Sequence, residues 1–161
     1  MRKIVMNIQY TFNTLLPNGR ILFFREGQSV TLDGSRLIDH PESQVISIAI
    51  MSEVIVIIAD DPDIYNSPAN SYKEDRQGNL FAYDFNGRLL WSIDDIINEE
   101  LHYPFFGGSI VTSEKKELFS KWKNVSFVDG HEYYIAYNNA DANYIIDITD
   151  SVVIAKRVYR G

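Results

Sequence analysis

The chain of 161 residues is 45% hydrophobic, 13% aromatic and 23% charged, a globular composition with enough length to bury a core. It has no cysteine, which excludes disulfides, Cys-based zinc sites and a thiol nucleophile. The net charge of −7 is unevenly placed: residues 39–100 hold 13 acids against three bases (Lys73, Arg76, Arg88), a net −10, while the flanks' nine acids and 12 bases net +3. Such an acidic centre repels phosphates, which argues against nucleic acid as partner and suits a basic protein surface. As a plain solvated face it would serve solubility alone.

Taken in chain order, the pattern is a short apolar or alternating run, a turn dipeptide, then another run. After Met1-Arg2-Lys3, the residues Ile4, Met6, Ile8, Tyr10 and Phe12 fall on one face of a period-2 strand. Polar Asn7 and Gln9 interrupt what a secretory segment would need, and no run of about 18 apolar residues follows anywhere. The expectation is a cytoplasmic protein with no membrane partner. Asn18-Gly19, Glu26-Gly27 and Asp33-Gly34 separate strands at Arg20–Arg25, Ser29–Leu32 and Arg36–Ile38. Gln44–Ile50 and Glu53–Ala59 come next. The run Val54-Ile55-Val56-Ile57-Ile58 is continuously β-branched and predicts a strand covered on both faces, the centre of the core.

From Asp60 to Gly78 runs a long polar loop holding Asp60, Asp61, Asp63, Tyr65, Glu74 and Asp75. Loops of this length are either passive surface or functional. Asn79–Phe85 and Arg88–Ile93 flank Asn86-Gly87, the clearest hairpin signal in the chain. Ser92, with Asp95 three residues on, opens a short helix, and Ser113 opens a second running to about Trp122. Val125–Val128, His131–Tyr137, Asn143–Ile148 and Val152–Tyr159 read as closing strands. Nothing divides the chain, so one β-rich domain over 1–161 is expected. Its fold class is mainly β, as twisted antiparallel sheets or a partial propeller-like domain with one or two short helices.

Residues that carry chemistry are sparse. His40, His102 and His131 lie in unrelated contexts with no metal-ligand spacing. Asp60, Asp61, Asp63 and Asn66 are oxygen-rich but lack the register of a calcium loop. There is no Gly-x-Ser-x-Gly elbow and no phosphate-cradling glycine loop. Gly107-Gly108 reads as a bend, and the bases of Lys115–Lys123, interleaved with Glu114, Glu117 and Trp122, read as a helix face. The cluster Tyr103-Pro104-Phe105-Phe106 either plugs one end of a sheet or anchors a partner. The expectation is no catalytic residue, no metal, no cofactor and no enzyme.

The hairpin from Asn79 to Ile93, with Leu80-Phe81-Ala82-Tyr83-Asp84 and Leu89-Leu90-Trp91, resembles a blade hairpin of quinoprotein-type propellers. A weaker echo runs from Tyr144 to Ile154, with Ser151 in place of the turn glycine. Asp84 and Asp147 lie 63 residues apart, which is no strict blade period. Together with the ending Tyr133-Tyr134-Ile135-Ala136-Tyr137-Asn138 and Tyr144-Ile145-Ile146-Asp147, the chain from Glu53 to Arg160 resembles small bacterial immunity proteins of polymorphic or contact-dependent inhibition toxin systems. That resemblance implies binding and neutralisation of a cognate toxin domain, a basic nuclease-type protein, but it transfers no inhibitory residue. Charge instead selects Asp60, Asp61, Asp63, Tyr65, Glu74 and Asp75, with the acidic turn Asp94, Asp95, Glu99 and Glu100, as partner-binding residues. The alternative is a propeller-like scaffold or ligand-binding module with no toxin partner.

Overall fold

A computed structural model of the chain describes residues 6–8, 12–24, 30–37, 44–60, 78–97, 104–123, 125–138 and 142–158. Its strands are β1 (Met6–Ile8), β2 (Phe12–Leu15), β3 (Ile21–Phe24), β4 (Thr31–Leu32), β5 (Ser35–Arg36), β6 (Gln44–Ile50), β7 (Val54–Asp60), β8 (Leu80–Asp84), β9 (Leu89–Ser92), β10 (Phe105–Ile110), β11 (Tyr133–Asn138), β12 (Ala142–Asp147) and β13 (Val152–Val158). Two short helices, α1 (Ile93–Ile96) and α2 (Ser113–Phe119), complete the described elements. All pairings are antiparallel. They make a five-stranded sheet ordered β1-β6-β7-β8-β9, a four-stranded sheet β10-β11-β12-β13 and a small meander β2-β3-β4-β5.

The five-stranded sheet is the middle layer because β7 is apolar from Val54 to Ala59. Val56 and Ile58 point into one core, shared with Phe105, Tyr134, Tyr144 and Ile146 of the four-stranded sheet. Ile55 and Ile57 point into the other, shared with Leu22, Phe24 and Leu32 of the meander. All four β7 residues are 0% exposed, and burying each stabilises by about 1.5–3 kcal/mol. Neighbouring β8 alternates in step, with Leu80 and Ala82 towards the first core and Tyr83 towards the second. In β6 a bulge between Val45 and Ser47 lets Val45 and Ile48 face the same side. A third cluster lies on the outer face of the four-stranded sheet, where Tyr133, Ile135 and Ile145 are covered by Phe119 of α2, with Trp122, Val125 and Phe127 packed against it.

The described turns follow the dipeptides, while Glu26-Gly27 lies outside the described residues. In two of them a three-residue loop ends on a left-handed glycine: Gly19 (φ 87°) donates to the Leu16 carbonyl, and Gly87 (φ 87°) donates to that of Asp84. Asp33 and Gly34 both have positive φ, at 49° and 86°, the signature of a type I′ turn. Ser151 adopts φ 55° in the place where a glycine is expected. Ser92 caps α1 in a capping box with Asp95, as its spacing predicts, but α1 is a single turn.

Four expectations need correction. Of the expected strand Ile4–Phe12, Met6–Ile8 form β1 and pair with β6, whereas Phe12 belongs to β2 and pairs with β3; Ile4 and Tyr10 lie outside the described residues. Val125–Val128 is not a strand: Phe127 packs edge-on against Tyr133 at 4.8 Å, and the Val128 amide donates to the Tyr133 hydroxyl at 2.7 Å. Its apolar residues serve as a cover on the sheet rather than as a rung of it. Helix α2 ends at Phe119 and not near Trp122; the Trp122 amide folds back on the Phe119 carbonyl in a turn. Gly107-Gly108 is no bend but part of β10, paired with Tyr137 and Ala136 of β11, with a bulge after Phe105. Glycine stands at 108 because a Cβ there would run into the Tyr134 ring.

Candidate functional site

Of the partner-binding residues picked by charge, the described ones, Asp60 by its backbone with Asp94 and Asp95, fall at one end of the middle sheet. Asp60 closes β7 opposite Gln44, and β8 begins beside it, with the Ala59 amide donating to the Asn79 carbonyl at 2.9 Å. Strand β9 runs towards the same end and delivers α1 there. Asp94 and Asp95 are exposed in the first turn of α1, where helix geometry favours negative charge. Each also has local work: Asp94 accepts from the Gly78 amide at 2.6 Å, and Asp95 accepts from the Ser92 amide at 2.9 Å. The hydrogen bond to Gly78 ties the start of the β8 segment to α1. The Asp60 side chain and Asp61, Asp63, Tyr65, Glu74, Asp75, Glu99 and Glu100 lie outside the described residues.

Charge alone misses an apolar feature on the meander. Leu15 (61% exposed) sits opposite Ile21 (51%), and Phe23 (38%) follows two residues on along the same face. Their neighbours Leu22 and Phe24 point inward and are fully buried. The strand Ile21-Leu22-Phe23-Phe24 is therefore apolar on both sides, although only one side has a core to meet. That double-sided apolarity is the signal by which the sequence could have revealed the face. The aromatic cluster divides in the same way: Phe105 is buried edge-on to Tyr144 at 5.4 Å, while Phe106 faces out beside Tyr137.

Asn79 has a structural role that its turn-like context conceals. Its buried side chain accepts from the Phe105 amide at 2.8 Å and donates to the Phe105 carbonyl at 2.6 Å. The amide group thus imitates one rung of a strand and ties the middle sheet to the four-stranded one. Glu132 makes a second tie, accepting from the Ser52 amide in the β6–β7 turn at 3.1 Å.

The sequence also gives no sign of a cluster at the mouth of the β11–β12 hairpin. His131 precedes β11, Asp147 ends β12, and Asp150 lies in the turn to β13. The His131 Nδ1 is 2.8 Å from Asp147 Oδ2 and 3.7 Å from Asp150 Oδ2. Asp147 is 3% exposed, and its other oxygen accepts from the Asp150 amide at 3.0 Å. The hydrogen bond to Asp147 raises the His131 pKa above its ordinary 6.5, assisted by both carboxylate charges and opposed by desolvation and Lys116. With Nδ1 facing a carboxylate, neutral His131 holds its proton there and leaves Nε2 as the acceptor. Burial likewise pushes the Tyr133 hydroxyl up, and the imidazole lies nearly parallel to that ring. The three ligating atoms lie within 4.8 Å of one another. The arrangement can clasp the hairpin, and with its proton moved to Nε2 the neutral imidazole offers Nδ1 beside two carboxylates, a set that can also chelate a small divalent cation.

Among the described residues no helix is long and apolar enough to cross a membrane. No protein family, curated protein or solved structure matches the chain.

Proposed function

We propose that the protein is a cytoplasmic immunity protein, without enzymatic activity of its own, that binds and neutralises a basic toxin domain. The observation that carries this reading is that exposed Asp94 and Asp95 of α1 lie at the end of the middle sheet where β7 closes at Asp60, with Asp94 bonded to the Gly78 amide. A concentrated negative field speeds encounter with a basic surface and rejects acidic ones. The outward face of Leu15, Ile21 and Phe23 supplies what charge cannot, apolar area whose desolvation slows release. The family resemblance of residues 53–160 points the same way.

The test is protection of cells that express the toxin domain encoded beside this chain. Charge reversal at Asp61, Asp63, Glu99 and Glu100 is expected to abolish protection, and Ile21→Lys with Phe23→Lys to weaken it, with circular dichroism unchanged. Full protection by the charge-reversed protein would remove the acidic corner from the interface.

A further inference from the structure

On the side of the layered stack away from the meander, a cleft of about 580 Å³ is lined by Lys121, Trp122, Lys123, Ile154, Ala155, Lys156 and Arg157. Four of the seven described lining residues are cations. In a chain whose net charge is −7 this is a local inversion of sign. The cleft takes Ile154–Arg157 from β13; an irregularity at Ile154 lets Ile154 and Ala155 pack on the same outer cluster, while Lys156 and Arg157 alternate between faces. It therefore straddles the strand's outer edge, and β13 is the last strand of its sheet. Lys156, opposite Tyr144 in register, holds its ammonium 5.1 Å from that ring centroid on the inner side. Arg157 lies over the Trp122 ring at 5.2 Å on the outer side.

Cations on an edge strand discourage pairing with other chains and need no ligand to explain them. Two features go beyond that role. Lys121 and Lys123 come from a different element, the turn after α2, and converge on the same space. Two of the four cations are also held in place by aromatic rings, so less conformational freedom is lost when an anion arrives. A guanidinium laid on an indole is oriented for the in-plane, forked recognition that phosphate oxygens accept. The volume is that of a small-ligand site rather than of a track for a polymer.

We propose that this cleft binds a compact, multiply charged phosphate compound, with Arg157 and Lys156 as anchored contacts and Lys121 and Lys123 closing over it. The inference is independent of the toxin-binding reading, because it uses neither the acidic corner nor the meander face. The experiment is calorimetric titration of the whole protein at low salt with inorganic tripolyphosphate and, separately, ATP. Saturable binding at one site per chain is expected, weakened at least tenfold in Arg157→Glu and in Lys123→Glu. Arg88→Glu, an equal change of charge in the β8–β9 turn, is expected to bind as the parent does. Equal affinities for the two probes would assign recognition to the phosphates, and tighter ATP would add the nucleoside. The proposal is overturned by absence of saturable heat, by equal weakening in Arg88→Glu, or by an oligonucleotide that displaces tripolyphosphate with stoichiometry set by its length.

Discussion

Gly108 pairs with Ala136 on the β10–β11 ladder and lies diagonal to Tyr134, whose ring fills the space a side chain at 108 would need. Tyr134 is fully buried, so it has no direction in which to yield. Gly108→Ala is therefore expected to destabilise by about 1–3 kcal/mol in denaturant unfolding, the usual cost of overpacking a filled core. The same change at Gly107, where a Cβ meets nothing, is expected to cost far less. A different residue-scale test concerns pH. Because the folded state raises the His131 pKa above 6.5, its stabilising contribution is complete below that value and is lost as pH rises through the folded pKa. The melting-temperature difference between the parent and His131→Gln should be largest on the acid side and shrink with rising pH. A difference independent of pH would separate His131 from Asp147. Neither feature was legible in the sequence. Gly-Gly looks like a bend until the tyrosine it accommodates is known, and His131 meets Asp147 only because the hairpin brings them into register.

Strand β7 is the element whose sequence predicts its place most directly. A continuous β-branched run has no polar face to offer water, so it must be covered twice, and Ile55, Val56, Ile57 and Ile58 are. Ile57→Ala is expected to cost about 2–5 kcal/mol, whereas Ile21→Ala, at an outward-facing position, should fall within about 0.5 kcal/mol of the parent. Chemical unfolding of the two variants compares one residue type in two layers. The turns were equally legible, since Asp33-Gly34 and Asn86-Gly87 announce the backbone that only short polar residues and glycine adopt cheaply. Ser151 marks the exception, a serine held at φ 55°. Ser151→Gly should relieve that conformation and stabilise the β12–β13 connection by about 0.5–1 kcal/mol, read from the unfolding midpoint. Periodicity misleads at Val125–Val128, because an apolar segment laid across a sheet buries its residues as well as a paired strand does. The difference is made by Tyr133, whose hydroxyl takes the Val128 amide that a neighbouring strand would otherwise claim.

For the whole molecule, composition and turn spacing point to a mainly-β fold of twisted antiparallel sheets or a partial propeller with one or two short helices, and the structure has three antiparallel sheets in layers with two short helices. The order of layers was not legible, because it depends on which apolar faces meet, and alternation reveals faces without naming their partners. The candidate interface was legible only as charge. Its acidic member Asp94 comes to lie beside Gly78 through a hydrogen bond between residues 16 apart. The exposed Leu15, Ile21 and Phe23 emerge only once the inward side of β3 is known to be the side of Leu22 and Phe24. The central claim, that this surface exists to hold a protein partner, is most directly tested by purifying the tagged protein from its native cell at low and high salt and identifying the bound chain by mass. The predicted result is a stoichiometric complex with the C-terminal part of a large secreted protein, weakening as salt rises. Recovery of the protein with no macromolecule bound at low salt would contradict it.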